Sequence, residues 1–479
     1  MTSTQTGTPI EADHDLSTSV ASAPPSATET TSALTYGPGR WIDGWNPEDQ
    51  AQWAAEGKAI AARNLRWSIF AEFLGFVVWQ LWSVVVVALP AAGFHFTDGQ
   101  VFWLISIPSL VGATLRIPYT FMVPRFGGRN WTIVSAGLLL IPTTALAIAV
   151  SNPATPFPVM LLIAALAGFG GGNFASSMAN ISFFYPHSKK GWALGLNAAG
   201  GNLGASVAQF LVPILITVTA ATAVNLPIAG WFWIPLIVIA MVGAAWRMNN
   251  LSGAKSDVAA SLAALKEPHM WVLAVLYIGT FGSFIGFSGV FPKLIADQFP
   301  QFSALHVGTA VVSLAFMGAL VGSLSRPLGG RLADRMGGTV VACASFLVMG
   351  LVTVAVIVTL PSKSFVLFFV FFIVLFLASG VGNGAVYRMI PSVFATRSGA
   401  QPGSASTIGA QRTAAAALGL ISAVGAYGGF IVPQILGASK TTFGDYTHGL
   451  WWFVAAYAAF LAICVGVYLI PSLRRGVRV

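Results

Sequence analysis

Two stretches decide how this chain folds: Arg116-Ile117-Pro118-Tyr119-Thr120-Phe121-Met122-Val123-Pro124-Arg125-Phe126-Gly127-Gly128 and Arg326-Pro327-Leu328-Gly329-Gly330-Arg331-Leu332-Ala333-Asp334-Arg335-Met336-Gly337-Gly338. In each, an arginine precedes a Gly-Gly pair by 11 residues, and the copies stand 210 apart. Gly172-Asn173 and Gly382-Asn383 recur at the same offset. Ala193-Leu194-Gly195-Leu196 and Ala417-Leu418-Gly419-Leu420 recur at 224, which puts 14 extra residues between those two landmarks of the second copy. Landmarks repeated in the same order imply two like halves joined in parallel.

The medium of that fold follows from composition. Only 8% of the 479 residues are Asp, Glu, Lys or Arg, where a soluble domain carries about 25%. Lipid accepts so much apolar surface most cheaply through helices that satisfy their own backbone hydrogen bonds. A window of about 20 apolar residues, enough to cross a hydrocarbon layer of ~30 Å, finds twelve segments, near 67–91, 101–123, 131–150, 158–184, 191–218, 229–247, 270–292, 306–328, 339–360, 365–390, 411–436 and 450–470. The fold class expected is an all-α polytopic membrane protein, with six-helix bundles over 67–247 and 270–471 joined by a cytoplasmic linker, 248–269.

Residues 1–45, rich in Ser, Thr, Ala and Pro, are expected to be a disordered cytoplasmic tail, without the basic and then apolar regions of a signal peptide. Asn46, Pro47, Glu48 and Asp49 supply an N-cap, a proline and first-turn acids for a surface helix over 46–66. Residues 472–479 form a second cytoplasmic tail. With the N-terminus inside, the inner loops and tails hold most of the Lys and Arg, while the outer side receives Lys293, Lys363 and Lys440. This asymmetry sets both termini in the cytoplasm. It also accounts for most of the net charge of +9, so no nucleic-acid partner is implied. Cys343 and Cys464 lie far apart in sequence; neither a disulfide framework nor a metal site is expected, and no cofactor.

Three charges fall well inside apolar segments: Arg116, Arg326 and Glu72. A mid-membrane arginine costs at least ~2.5–3.5 kcal/mol on insertion scales, so something must offset it. At ~1.5 Å per helical residue, both arginines sit near mid-membrane. Snorkelling is the bland alternative, stronger for Arg326 because Arg331 lies nearby. The repeat weighs against it, since pseudo-symmetric arginines face each other across the space between parallel halves, where a rocking carrier holds its substrate. The natural partner is an anion, and the planar guanidinium fork matches a planar oxyanion such as nitrate.

The sequence around these residues resembles a known family. Gly329 to Gly338 is similar to the loop signature after helix 8 of the major facilitator superfamily, whereas the loop from Val123 to Arg129 lacks the Asp. More narrowly, Gly170–Pro186, Gly191–Gly204 and Ala414–Gly429 resemble the nitrate/nitrite porter family. That resemblance implies that Arg116 and Arg326 bind the substrate, with Tyr277 as hydrogen-bond donor and with Phe281, Phe174 and Asn202 as further binding residues. Packing within the bundle is the alternative for each of the last four. It also points to Asp334 and Arg335 as a conformational loop.

Gly171, Gly172, Gly200, Gly201, Gly204, Gly425, Gly428 and Gly429 are read as faces on which helices pack and slide; no phosphate-cradling motif follows them. Glu72 is the only deeply placed carboxylate. Burial penalises its charged form, which suits a proton-coupling site, although it could instead be a structural partner for the arginines or a helix dipole. The expectation is a non-enzymatic, monomeric secondary transporter of nitrate and nitrite, leaning to nitrate/proton symport, with protons and the lipid bilayer as further partners. A nitrate/nitrite exchanger and a carrier of another small anion are the alternatives.

Overall fold

The computed structural model describes residues 34–221, 223–254, 258–398 and 405–471. Residues 1–33 and 472–479, most of the two expected tails, lie outside them. Eleven helices among the described residues are long and apolar enough to cross a membrane. They are α1 (Gln50–Ala88), α2 (Asp98–Phe126), α3 (Gly128–Ala149), α4 (Phe157–Phe184), α5 (His187–Val218), α6 (Ile228–Arg247), α7 (Pro268–Gln298), α9 (Gly338–Ser362), α10 (Phe365–Ser398), α11 (Ala405–Ala426, continuing through Gly428–Phe443) and α12 (Thr447–Leu469). The twelfth, α8 (Phe316–Met336), is as long as a span but carries Arg326, Arg331, Asp334 and Arg335.

The repeat is visible in the backbone. Gly127 closes α2 at φ 87°, ψ 148°, and Gly337 closes α8 at φ 94°, ψ 136°. Side chains rarely adopt this conformation, so the glycines are required. Each amide donates to a carbonyl four residues back, Val123 at 2.8 Å and Ala333 at 2.9 Å. The next glycine in each pair rests on a neighbouring helix. A Cβ on Gly128 would collide with Asn180 of α4, and one on Gly338 would meet Met389 of α10. The same tight corner therefore joins matching helices in both halves.

Three boundaries differ from the sequence reading. The tail was expected to be disordered to residue 45, but Thr35–Gly37 (β1) and Trp41–Asp43 (β2) are strands, and β2 pairs in parallel with Asn250–Leu251 (β3) of the linker. Buried Ile42 and Leu251, which pack with Ile60 and Leu65, explain the order. Second, no break separates the surface helix from the first span, and α1 runs through both; its cap is Asp49, which accepts from the amides of Ala51 and Gln52, and not Asn46. Third, residues expected at the start of the eighth helix form a hairpin, Leu305–Val307 (β4) with Ala310–Val312 (β5), turning at Gly308 with φ 63°. Val307, Val311 and Val312 favour strand, and the Val311 amide donates to Thr217 Oγ1 at 3.0 Å.

Glycine lets the helices approach closely at mid-membrane. A Cβ on Gly428 would strike the Gly282 backbone, and one on Gly425 the Tyr277 ring. Gly171 faces the Gly112 backbone, Gly172 the Tyr119 ring, Gly200 Ile69, Gly201 Glu72, Gly204 the Phe73 carbonyl and Gly429 Ser109. In lipid, such small faces allow the van der Waals contact that holds helices together.

Candidate functional site

Helix α2 carries Arg116 and α8 carries Arg326, one from each half, and both side chains are buried. Arg116 Nε donates to the Gly171 carbonyl at 3.1 Å, and Nη1 to the Ser422 carbonyl of α11 at 2.9 Å. Its Nη2 has no hydrogen-bond partner among the described residues. Arg326 Nη2 donates to the Tyr277 hydroxyl oxygen at 3.3 Å, and Nη1 likewise has no partner. Each guanidinium thus keeps one donor nitrogen unmatched in a buried place, where an unpaired charged donor is costly.

The Phe174 ring is within reach of both. Its centroid is 4.5 Å from the Arg116 Cζ and 5.8 Å from the Arg326 Cζ. Phe281 stacks on Phe174 at 6.3 Å and on Tyr277 at 5.4 Å, and lies 5.1 Å from the Arg116 Cζ. A π-helical turn at Ile278–Gly282 interrupts α7 there, an irregularity frequent at functional sites. These faces attract both cations through the ring quadrupole while supplying no hydrogen-bond acceptor. Because Tyr277 accepts from Arg326, its own hydroxyl hydrogen is left to donate.

The structure adds residues that sequence reading missed. Trp79 lies 5.4 Å from the Arg116 Cζ and donates to the Pro108 carbonyl, which fixes its ring. Tyr387 lies 5.1 Å from the Arg326 Cζ, and its buried hydroxyl has no hydrogen-bond partner among the described residues. A signal for Tyr387 was present, since it falls one helical turn after Asn383 of the repeated Gly-Asn pair. Trp79 carried no comparable signal. Asn202, expected beside the anion, is buried on α5, and neither of its amide atoms is hydrogen-bonded among the described residues.

Glu72 makes no direct ion pair with either arginine, although its charge would act on both at longer range. Its Oε2 accepts from Ser177 Oγ of α4 and from Asn197 Nδ2 of α5 at 2.6 Å, while Oε1 has no partner among the described residues. The carboxyl group thus sits within the first half in a pocket of neutral donors, against Gly201. On the face where the N-terminal strands lie, Asp334 pairs with Arg388 at 2.5 Å, both about half exposed. The matching corner of the first half, which lacks an acid, is held instead by Arg129, whose Nε donates to the Ala245 carbonyl at 2.9 Å.

The opposite face is bolted between halves. Lys293 of α7 pairs with Asp98 of α2 at 3.0 Å and with Asp297 at 2.5 Å. Gln209 of α5 donates to the Ser288 carbonyl at 2.6 Å, and Gln434 of α11 to Ser106 at 2.7 Å. Tyr446 completes the cluster as a donor to Asp297; burial and that carboxylate push its hydroxyl far above the ordinary tyrosine range, so it stays protonated.

The profile of the Major Facilitator Superfamily matches residues 71–433. "Nitrate/nitrite transporter NarU" of Salmonella typhimurium is 43% identical over 449 residues, covering 89% of this chain and 96% of that protein. Its namesake in Escherichia coli is 41% identical, covering 88% and 94%. The "Probable nitrate/nitrite antiporter NarK2" of Thermus thermophilus is 35% identical over the same shares. Among solved structures, a bacterial homolog of the human lysosomal transporter Spinster, inward-facing and occupied, superposes with a TM-score of 0.59 at 16% identity, covering 86% of this chain and 97% of that one. The nucleoside transporter NupG gives 0.59 at 11% identity, covering 85% and 100%. Likeness at that level speaks for the fold alone.

Proposed function

Because the chain belongs to the nitrate/nitrite porter family of the Major Facilitator Superfamily, we propose that it carries nitrate, and nitrite, across the cell membrane by alternating access between two six-helix halves. It is a transporter and not an enzyme. The observation that carries the substrate reading is the pair of unmatched donors, Arg116 Nη2 and Arg326 Nη1, on one aromatic floor. A planar anion between them accepts from both guanidinium forks, with the Tyr277 hydroxyl as a further donor. Phe174 and Phe281 keep water away, which strengthens those bonds.

The two arginines belong to different halves, so an anion bridging them draws the halves together. Binding and closure then become one event, and opening of the bolted face, where Lys293 meets Asp98, exposes the site on the other side. Supporting the proton-coupled mode is Glu72, a buried carboxyl with an unpartnered oxygen. The relative named as an antiporter supports the exchanger instead. The distribution of Lys and Arg supports both termini lying in the cytoplasm, and a single copy holding the whole site supports a monomer.

The deciding experiment is uptake of labelled nitrate by purified protein in liposomes, with or without internal nitrite and with or without an inward proton gradient. Saturable uptake, competed by nitrite, is expected. No uptake under any of the four conditions from folded protein overturns the reading. Acceleration by the gradient alone selects symport, and a strict need for internal nitrite selects exchange.

A further inference from the structure

Away from the central site, at the end of α1 nearest the N-terminal strands, Arg63, Trp67 and Phe70 follow at i, i+4 and i+7 and so line one stripe of the helix. Arg66 stands beside them, and the end of α6 brings Arg247. These five residues line an open crevice of about 520 Å³. Its charge is uncompensated: none of the three arginines forms an ion pair among the described residues. Among the described residues their hydrogen bonds reach neutral acceptors. Arg63 donates to the Arg247 carbonyl at 2.7 Å and to Asn249 Oδ1 at 2.8 Å, while Arg66 Nε reaches the Ala62 carbonyl at 3.4 Å. Arg66 and Arg247 are exposed, so their guanidinium groups remain available.

The depth of the crevice is marked by aromatics. Trp67 packs over Gly243, where a Cβ would strike its ring, and Trp246, 73% exposed, projects beside Arg247. Tryptophan at such a level marks the headgroup region of a bilayer. Going inward, the crevice changes from three cations to the Trp67 and Phe70 rings, which pack edge to face at 6.1 Å. A ligand matched to this gradient has a phosphate at one end and an apolar body at the other. Guanidinium forks suit phosphate, and basic pockets between transmembrane helices are a known way of holding anionic headgroups.

We infer that the crevice between α1 and α6 binds a phosphate group, carried by an anionic glycerophospholipid whose acyl region lies along Trp67 and Phe70. The test is native mass spectrometry of the full chain in detergent, titrated in separate arms with phosphatidylglycerol, phosphatidylcholine and inorganic phosphate. It compares wild type with the double variant Arg66→Gln, Arg247→Gln. Both positions are exposed, and Arg63 with its structural bonds is left in place, so unchanged thermal midpoints are the control for folding. Phosphatidylglycerol should bind the wild type in preference to phosphatidylcholine, and the double variant should bind it about 30-fold more weakly. Equal retention by wild type and variant, or no preference over phosphatidylcholine, overturns the site. Binding of inorganic phosphate as strong as that of the lipid, lost in the variant, overturns the lipid source. None of these readings depends on which anion the central site transports.

Discussion

Arg326→Lys separates charge from shape at the central site. The substitution keeps the positive charge but replaces the planar fork by a single ammonium. Among the described residues the Arg326 side chain makes one modest bond, 3.3 Å to Tyr277, and rests on the faces of Phe174 and Tyr387, so the fold loses little. The anion loses one charge-assisted hydrogen bond of the pair that a fork provides, worth about 1.5–3 kcal/mol. At 1.4 kcal/mol per factor of ten, nitrate affinity should fall roughly 10- to 150-fold. Titration calorimetry on detergent-purified protein measures the affinity, uptake into liposomes the consequence, and a melting curve the fold. A folded Arg326→Lys protein binding nitrate within about twofold of wild type, well below the loss of one such bond, would refute the fork argument. Arg116→Lys should be harsher, because Arg116 also tethers α2 to the carbonyls of Gly171 and Ser422.

Glu72→Gln keeps the shape of the group and its bonds to Ser177 and Asn197 while removing the exchangeable proton; nitrate/nitrite exchange should persist while stimulation by a proton gradient disappears, and retained stimulation counts against the coupling role. Gly428→Ala drives a methyl into the Gly282 backbone, and overpacking of this kind costs about 1–3 kcal/mol, so a lowered melting temperature and slowed transport are expected together. Lys293→Ala releases the ion pairs with Asp98 and Asp297. Partly exposed pairs contribute up to about 1 kcal/mol, so spin-label distances across that face should show a population shift of up to about fivefold toward opening, and an unchanged distribution removes the latch from the cycle.

The repeat and the hydrophobic runs carried the architecture because lipid imposes one rule on every spanning helix. The same rule hides the start of α8. Residues 305–312 are apolar enough to continue a membrane segment, and only pairing across Gly308 distinguishes a hairpin from helix. The order of the β2 segment was hidden for a related reason, since its partner lies 209 residues away at Asn250. At the site, Arg116 and Arg326 were legible because charge in hydrocarbon demands an explanation. Trp79 and Tyr387 were not, since an aromatic facing a guanidinium and one facing lipid look alike until the helices are rotated into place. Glu72 was conspicuous, but its real partners, Ser177 and Asn197, are ordinary small polar residues more than 100 positions away.

Placing one guanidinium on each half bears on slippage. Two like charges resist being brought together, so on the proposed mechanism a carrier without cargo is held back from closing, and leak without cargo is suppressed by the binding residues themselves. The outward and return legs of the cycle then pose the same electrostatic question, namely what cancels the paired arginines when nitrate has left. An exchanger answers with a second anion. A symporter answers from within, by leaving Glu72 deprotonated for the return, so the two modes differ in where one negative charge comes from and share the rest of the machine.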